Sequence, residues 1–443
     1  MNLDRGARAV VQRLRAAGYQ VLLAGGCVRD ALMGMPPRDW DIVTDAAPEQ
    51  VQTLFERTIP VGVRFGIVVV ISHGNPYEVA RFRGDDVYVD GRRPARIVDA
   101  DPEQDARRRD FTINGMFMDP LTGRVIDYVG GRQDLQTRLI RAIGDPPTRF
   151  AEDRLRLLRA VRFASSLGFD IDADTWNAIQ RQAEGIMQIS AERIRDELTR
   201  ILTSPGSARG MQLLLDSGML SRILPELVEL RGLAQPPEFH PEGDTWTHTL
   251  QVLRFLRHPD TLLGWAGLLH DIGKARTRIF DCRIRFHGHE KVGADMAQTI
   301  LRRLRLSNDA VASVSWLVKA HMRLREAPRM RPGRLKRLLR EPLFGCLLEL
   351  HRADCLGSHG DLSLYDFCRR RLAALEPADR RPPRLLTGHD LRRLGFEPGP
   401  LFRTIMEALE EEQLEGRVCT ARQAEEFVRR RFASALPAAD DPV

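Results

Sequence analysis

Residues 25–46 read GGCVRDALMGMPPRDWDIVTDA and hold a diglycine, a basic residue and two aspartates one residue apart. The diglycine directly follows the apolar run Val21-Leu22-Leu23-Ala24, the pattern of a strand delivering the chain into a tight turn. Glycine tolerates positive φ and lets a backbone approach a ligand closely, so N–H groups at Gly25 and Gly26 can cradle phosphate oxygens. Cys27 to Met33 reads as a short helix whose N-terminus points at the same anion. Asp39-Trp40-Asp41 follows in an extended segment, where alternation puts both aspartates on one face and sends Trp40 and Ile42 to the core. Adjacent carboxylates repel unless a cation lies between them, and hard oxygen ligands suit Mg²⁺ held jointly with substrate phosphates. Either feature alone would be an ordinary solvated turn. Their order and spacing together favour a nucleotide site.

The chain around this stretch has 443 residues, 43% hydrophobic and 29% charged, enough for two to four domains. No run of about 18 apolar residues occurs, so no membrane span is expected. The N-terminal MNLDRGARAV lacks an apolar signal segment, and the expected location is the cytoplasm. Six scattered cysteines without a C-x-x-C pair read as buried thiols rather than a zinc ribbon or disulfide framework. The net charge of +7 permits a nucleic-acid partner without requiring one. Only four of the 67 basic residues are lysines, the first being Lys274. A GC-rich genome accounts for that bias, yet it leaves arginine as the only strong side-chain cation before residue 274. Nine of the eleven histidines fall between His240 and His359, which sets a middle region apart.

Beyond the acidic segment, Ala47–Phe55 reads as a helix, and Ile67–Ile71 and Tyr77–Phe82 as strands, giving a mixed sheet with flanking helices. Glu78 is either a third carboxylate at the aspartate edge or a solvent-facing edge residue. Residues 85–97 read as a polar loop with three arginines and three aspartates. In RRRDFTINGMFMDP, Arg109, Asp110 and Asn114 suit a phosphate and sugar hydroxyls, or an ordinary capped helix. In FAEDRLRLLRAVRFASSLGF, a helical pattern places Glu152 and Asp153 in the first turn, with Asp153 and Arg156 on one face. That is a salt-bridged surface helix, or an acceptor and donor pair facing a nucleobase edge.

These motifs, with YVDGRRP and DYVGGRQDLQTRLIRAIGDPPTRF between them, run in family order. Over about residues 18–230 the chain resembles the class II tRNA nucleotidyltransferase/poly(A) polymerase family, in particular its bacterial CCA-adding members. The resemblance implies that Asp39 and Asp41 hold catalytic Mg²⁺. It implies that Gly25, Gly26 and Arg29 meet the triphosphate, with Arg109, Asp110 and Asn114 around phosphate and ribose. Glu152, Asp153 and Arg156 match the base-selecting motif that reads CTP or ATP, and Arg159 and Arg162 match arginines that follow it. The implied partners are tRNA, CTP and ATP.

The middle region shows WTHTLQVL, GLLHDIGKART, RFHGHEKVGADM, VKAHMRL and HRADCLGSHGD. Six residues of metal-ligand type recur along helical patterns: His248, His270, Asp271, His289, His321 and Asp354. From about residue 240 to 360 this resembles the HD-domain family. The resemblance implies that Asp271 bridges two metals, with His248, His270 and Asp354 on one and His289 and His321 on the other. Lys274 would steady a substrate phosphate, and the G-H-E setting favours His289 over His287. Imidazole and carboxylate ligands suit Mn, Fe, Co, Ni or Zn. The expected fold class is α+β. A nucleotidyltransferase head (1–140) with a mixed sheet precedes an all-α neck and body (141–235), an HD region (236–360) and a C-terminal helical region (361–443) with a disordered tail. In that last region, arginines interleaved with apolar positions suit an RNA backbone or the solvated faces of a bundle.

The leading expectation is template-independent transfer of CMP and AMP to the tRNA 3′ end by a two-metal mechanism, with HD hydrolysis of phosphate esters such as 2′,3′-cyclic phosphates. The alternatives are a poly(A) polymerase, an enzyme adding only CC or only A, and an HD phosphohydrolase with an inactive RNA-binding head. Oligomeric state is not legible in the sequence.

Overall fold

The computed structural model describes residues 3–37, 39–60, 66–85, 97–236, 243–281, 283–375 and 384–435. The loop centred on Tyr88–Pro94, Cys282 and the tail from residue 436 lie outside the described residues. The chain forms two compact units, Met1–Glu229 with Arg303–Leu306, and Leu230–Arg302 with Ser307–Val443.

The first unit begins with a seven-stranded mixed sheet in the order β3-β4-β5-β2-β1-β8-β9. Its strands are β1 (Val21–Ala24), β2 (Ile42–Thr44), β3 (Thr58–Ile59), β4 (Ile67–Ser72), β5 (Asn75–Arg81), β8 (Met116–Met118) and β9 (Val125–Asp127), while β6 (Arg83–Asp85) and β7 (Ile97–Asp99) make a separate pair. β2 runs parallel to β5, and the other pairings in the large sheet are antiparallel. β1 is central because it is apolar on both faces. Val21 and Leu23 join one core cluster with Ile42 and Val79, while Leu22 and Ala24 join another with Val43, Phe82 and Phe117.

Two expectations need correction here. The strand after the aspartates starts at Ile42, so Asp39 and Asp41 precede it, although the Asp41 carbonyl still accepts from the Ala24 N–H at 3.0 Å. The helix expected through FAEDRLRLL is broken. One helix ends at Glu152 (Pro146–Glu152), Asp153 is extended, and a second runs Leu155–Leu167. The Asp153 carboxylate accepts from the Leu155 N–H at 3.1 Å, a local bond that competes with helix continuation. Thus neither acid lies in the first turn of the long helix. The remainder of the unit is helical, with Ala191–Leu202 and Ser207–Asp216 packed on Leu155–Leu167.

The second unit is helical apart from the hairpin Ile279–Asp281/Arg283–Arg285. Helices Thr245–Phe255, Thr261–Leu269, Asn308–Ala320 and Phe344–Leu356 pack around Trp265, which is fully buried. The later helices Gly388–Arg393, Pro400–Leu414 and Ala421–Arg431 share a smaller core that includes Leu391, Ile405, Leu409 and Val428. Arg393, Arg403, Arg417 and Arg422 there pair with Asp390, Glu407, Glu412 and Glu426. The four arginines are exposed in those pairs. No helix among the described residues is long and apolar enough to cross a membrane.

Gly273 shows how closely this unit is packed. Its φ of −69° is open to any residue, so backbone freedom is not the reason for glycine. A Cβ there would lie 2.2 Å from the His289 carbonyl oxygen and 2.6 Å from the Gly293 nitrogen, both backbone atoms. Gly273→Ala should therefore destabilise this unit by about 1–3 kcal/mol, the scale of overpacking. Gly345 has nothing within 4 Å of its Cβ position. Gly345→Ala should be neutral or stabilising by up to about 1 kcal/mol. Urea titrations should show a loss for the Gly273 variant and none for the Gly345 variant, and equal shifts would refute the packing account.

Candidate functional site

At the end of β1, Gly25 takes φ +70° and ψ −131° before the helix Gly26–Leu32 begins. A Cβ at Gly25 would stand 3.1 Å from Arg109 Nη1 and 3.3 Å from Asp41 Oδ2, so the bare glycine keeps open the space between a cation and a carboxylate. Its own N–H donates to the Met116 carbonyl at 3.3 Å, which removes it from the set expected to cradle phosphate. The first intrahelical donor is the Arg29 N–H, to the Gly25 carbonyl, so the helix itself does not use the amides of residues 26–28.

A cleft of about 590 Å³ opens beside this turn, lined by Gly25, Gly26, Asp39, Asp41, Asp110, Asn114, Asp153 and eight arginines. Burial raises the Asp41 pKa; Arg109 opposes that shift, while the charges of Glu78 and Asp39 add to it. A carboxylate in that position gains from a cation, and Asp39 and Asp41, both lining the cleft, supply hard oxygen donors. The donor set fits a divalent metal.

The arginines are held by acids. Asp105, fully buried, accepts from Arg108 Nε at 2.7 Å and from Arg109 Nη2 at 2.9 Å. Burial would raise the Asp105 pKa, but Arg109 and Arg108 take it below its ordinary value. Arg29 donates to Asn114 Oδ1 at 2.8 Å and to Asp30. Arg159 Nε donates to Asp110 at 2.8 Å, and Asn114 Nδ2 donates to the same carboxylate at 3.1 Å. Arg162 Nε donates to buried Glu197 at 2.6 Å. Arg29, Arg159 and Arg162 also lie over the Phe163 ring, at 5.4, 5.3 and 4.0 Å from its centroid.

The side chains of Asp153 and Arg156 share the cleft without pairing with each other, although the Arg156 N–H donates to the Asp153 carbonyl at 3.0 Å. Arg156 is buried and donates to Glu152 at 2.8 Å and to the carbonyls of Arg149 and Arg108 at 2.9 and 3.0 Å. Asp153 meets Arg193 at 3.2 Å. Three of the five guanidinium N–H groups of Arg156 are engaged by those bonds, which fixes its plane and leaves two for other acceptors.

The second unit holds a separate cluster. His248, His270 and Asp354 form one group and Asp271, His289 and His321 another, with ligand atoms in each group within 4.8 Å of one another. Asp271 spans both: Oδ2 lies 3.3 Å from His270 Nε2 and 3.6 Å from His248 Nε2, while Oδ1 lies 3.4 Å from His289 Nε2 and 3.8 Å from His321 Nε2. Nitrogen ligands about 2.0–2.1 Å from a tetrahedral metal stand roughly 3.3 Å apart, so these spacings suit shared ions. The Nδ1 atoms of His270, His289 and His321 each meet the carbonyl three residues earlier, at 2.9, 2.8 and 2.6 Å. A carbonyl only accepts, so Nδ1 carries the proton and Nε2 turns its lone pair to the cluster. Burial takes the His321 pKa down to about 3, which keeps that ring neutral and ready to ligate. Burial would raise the Asp271 pKa, yet Lys274 and His270 hold it well below the ordinary carboxylate range. Both groups fit divalent metals.

Lys274 Nζ lies 2.6 Å from Asp271 Oδ2 and donates to Gln235 Oε1 at 2.6 Å. The lysine expected at a substrate phosphate is thus engaged by the aspartate. His287 is exposed and lines the adjoining cavity of about 560 Å³, while His289 lies in the ligand group.

Three family models match in order: the poly(A) polymerase head domain over residues 21–141, the probable RNA and SrmB-binding site of polymerase A over 168–230, and the HD domain over 245–356. The CCA-adding enzyme of Lacticaseibacillus paracasei is 31% identical over 423 residues, covering 93% of this chain and 92% of that one. The chain belongs to the CCA-adding enzyme family. With the CCA-adding enzyme of Ligilactobacillus salivarius it is 37% identical over 254 residues, which span 56% of this chain and 63% of that relative's length. The crystal structure of the Bacillus stearothermophilus CCA-adding enzyme in complex with CTP matches at a TM-score of 0.72 and 28% identity, covering 97% of this chain and 98% of that one.

In this member of the CCA-adding enzyme family, sequence reasoning missed Asp105, Arg108, Glu197 and Phe163. Their signal was weak: Asp105 is one acid in PEQDARRRD, and only folding shows it to be buried beneath two arginines.

Asp110 gives a pH signature. Burial would raise its pKa, but Arg159, Asn114 and the Phe111 N–H bring it to about 2 from the ordinary 3.8. Because the folded value is the lower one, the stabilisation is complete above 3.8 and is lost as pH falls through about 2. Asp110→Asn should cost about 2 kcal/mol at pH 7, with the deficit narrowing between pH 4 and pH 2. Urea titrations across that range test it, and a deficit independent of pH would remove the ion pair as its cause.

Proposed function

We propose that the first unit transfers CMP and AMP from CTP and ATP to the tRNA 3′ end, completing CCA, and that the histidine–aspartate cluster hydrolyses phosphate esters, among them 2′,3′-cyclic phosphates at RNA ends. One observation carries the first part: Asp39, Asp41 and an open glycine turn face a cleft where eight arginines meet four aspartates. Family membership supports the same reading.

Nucleotidyl transfer requires a 3′-hydroxyl to attack the α-phosphorus in line while pyrophosphate departs. The cleft has the positive excess that a triphosphate calls for, and the acids behind the arginines hold them where the anion would arrive. Mg²⁺ held by Asp39 and Asp41 would supply Lewis-acid stabilisation of the attacking and leaving oxygens. Gly25 lets the phosphates approach Asp41 and Arg109 without a side chain in the way. Asn114 and Asp110 offer an amide and a carboxylate to ribose hydroxyls, with Asp110 sharing its charge with Arg159. The fixed plane of Arg156 and the carboxylate of Asp153 would read the base edge, supported by Glu152. Arg162, set over Phe163, extends the same wall.

In the second unit, His248, His270 and Asp354 would hold one divalent ion and His289 and His321 another, with Asp271 between them; Mn, Fe, Co, Ni and Zn all suit that set. The ions would supply the Lewis acidity that water needs to attack phosphorus. Lys274 keeps Asp271 ionised, and the backbone carbonyls behind the imidazoles hold the ring tautomers.

Asp41→Asn should abolish addition to tRNA transcripts ending before C74, after C74 or after C75 (standard tRNA numbering), while circular dichroism and tRNA binding persist. Sequencing of the products shows whether wild type makes full CCA, and wild-type activity surviving in the folded variant would sink the assignment. Arg156→Ala should reduce discrimination against UTP and GTP by about 1–3 kcal/mol per lost pair, taking base readout in DNA complexes as the guide. Competition assays with mixed nucleotides measure that, and unchanged selectivity would make Arg156 a structural anchor. Asp271→Ala should lose tightly bound metal by elemental analysis, together with cyclic-phosphate hydrolysis, yet keep nucleotide addition.

A further inference from the structure

The hairpin Ile279–Asp281/Arg283–Arg285 is the anomaly of the second unit. Phe280 is 74% exposed, more than any other large hydrophobic residue among those described, and its neighbour Ile279 is 52% exposed. Neither side chain is buried in a core among the described residues. In the antiparallel register Phe280 stands opposite Ile284, so the two share one face. Arg283, Ile284, Arg285 and Phe286 line the cavity that contains Asp271, His289, His321 and Asp354. One strand of the hairpin is thus a wall of the metal-ligand cavity, and the strand paired with it carries a bare aromatic ring.

The charge around that ring is one-sided. Between Arg278 and Phe286 there are three arginines and one aspartate. Arg285 reaches Asp281 only at 4.0 Å, too long for a strong pair. Exposed Arg325 adds a further cation on the cavity lining. A protein contact would call for a broader apolar patch than one ring and one isoleucine. An aromatic platform among arginines, beside a cavity of single-ligand size, instead matches a strand of unpaired nucleotides: bases stack on the ring and phosphates follow the cations.

We propose that Phe280 and the arginines of this hairpin form a stacking platform for the single-stranded 3′ end of an RNA whose terminal phosphate ester enters the histidine–aspartate cavity. The inference rests on the phosphohydrolase reading of that cavity and narrows its substrate to polynucleotide ends over free mononucleotides. Phe280 is a specificity residue, and the ester bond broken is the one that reading assigns.

The test uses the metal-loaded full chain. Two substrates are compared, adenosine 2′,3′-cyclic phosphate and an unstructured octaribonucleotide ending in a 2′,3′-cyclic phosphate. Wild type should show the lower KM for the octamer. Phe280→Ala should raise that KM about 5- to 150-fold, the range for one lost base stack, without lowering kcat on the octamer. The two KM values should then converge, and Phe280→Trp should restore the difference. Equal KM values in wild type, or an octamer KM unmoved by Phe280→Ala at full metal content, overturn the proposal. If Phe280→Ala changes only oligomeric state or capture of a protein, the hairpin is a protein contact and the proposal fails. Should wild type hydrolyse neither substrate, the phosphohydrolase reading fails by itself. The platform is then judged by photocrosslinking of an octamer with 4-thiouridine at its 3′ end: adducts on residues 278–286 support it, and their absence refutes it.

Discussion

A carboxylate taken out of water must be given charge or hydrogen bonds in return, and both centres are organised around that requirement. In the first unit Asp105 is buried beneath Arg108 and Arg109, Asp110 beneath Arg159, and Glu197 beneath Arg162 and Arg200. Each acid loses its charged partner if its arginines move, so the acids act as fixings for the cationic wall of the cleft. In the second unit Asp271 has the same need, which the Lys274 ammonium meets in part and a metal held among the four neighbouring imidazoles would meet further. Asp41 is the exception. Burial, Asp39 and Glu78 all push its pKa up, the nearby Arg109 and Arg29 do not offset them, and the unmet demand lies where a metal would sit.

Those fixings explain which parts of the site the sequence made legible. The β1 strand, the glycine turn and the aspartate pair are local patterns whose meaning lies within two dozen residues. The histidine–aspartate cluster is dispersed over more than a hundred residues, but each ligand is a chemically distinctive residue in an apolar helix, and the structure brings all six together. Legibility failed where a charged residue had several possible partners. Arg156 had acids four and three residues before it, at positions 152 and 153, and helical spacing lets either one share its face. The structure pairs it with Glu152 because the chain breaks at Asp153, which turns toward Arg193. Asp105 was invisible for the same reason, since acids beside arginines are usually solvated. The fold class was legible because apolar runs and alternation decide it, and the sheet order was not, because β2–β5 and β1–β8 pair across long stretches of chain.

The two units solve similar electrostatic problems with different cations. The first, without a lysine, uses guanidinium groups throughout, whose planar forks bind a carboxylate on one edge and keep donors on another. The second relies on imidazoles whose protons are parked on backbone carbonyls, which suits ligation of a metal rather than a direct grip on an anion. This division follows the chemistry each cavity is built to meet: a polyanion in one, ions in the other.

The prior engagement of the cleft arginines also bears on the thermodynamics of ligand capture. A free arginine side chain carries about 2 kcal/mol of rotamer entropy, which a binding event ordinarily has to extinguish. Here Arg29, Arg109, Arg156 and Arg159 already have partners within the protein, so that loss belongs to folding. A nucleotide arriving in the cleft meets an ordered array and exchanges hydrogen bonds with it. Little of the binding free energy then goes into ordering the receptor, and more of it can express the difference between one base and another.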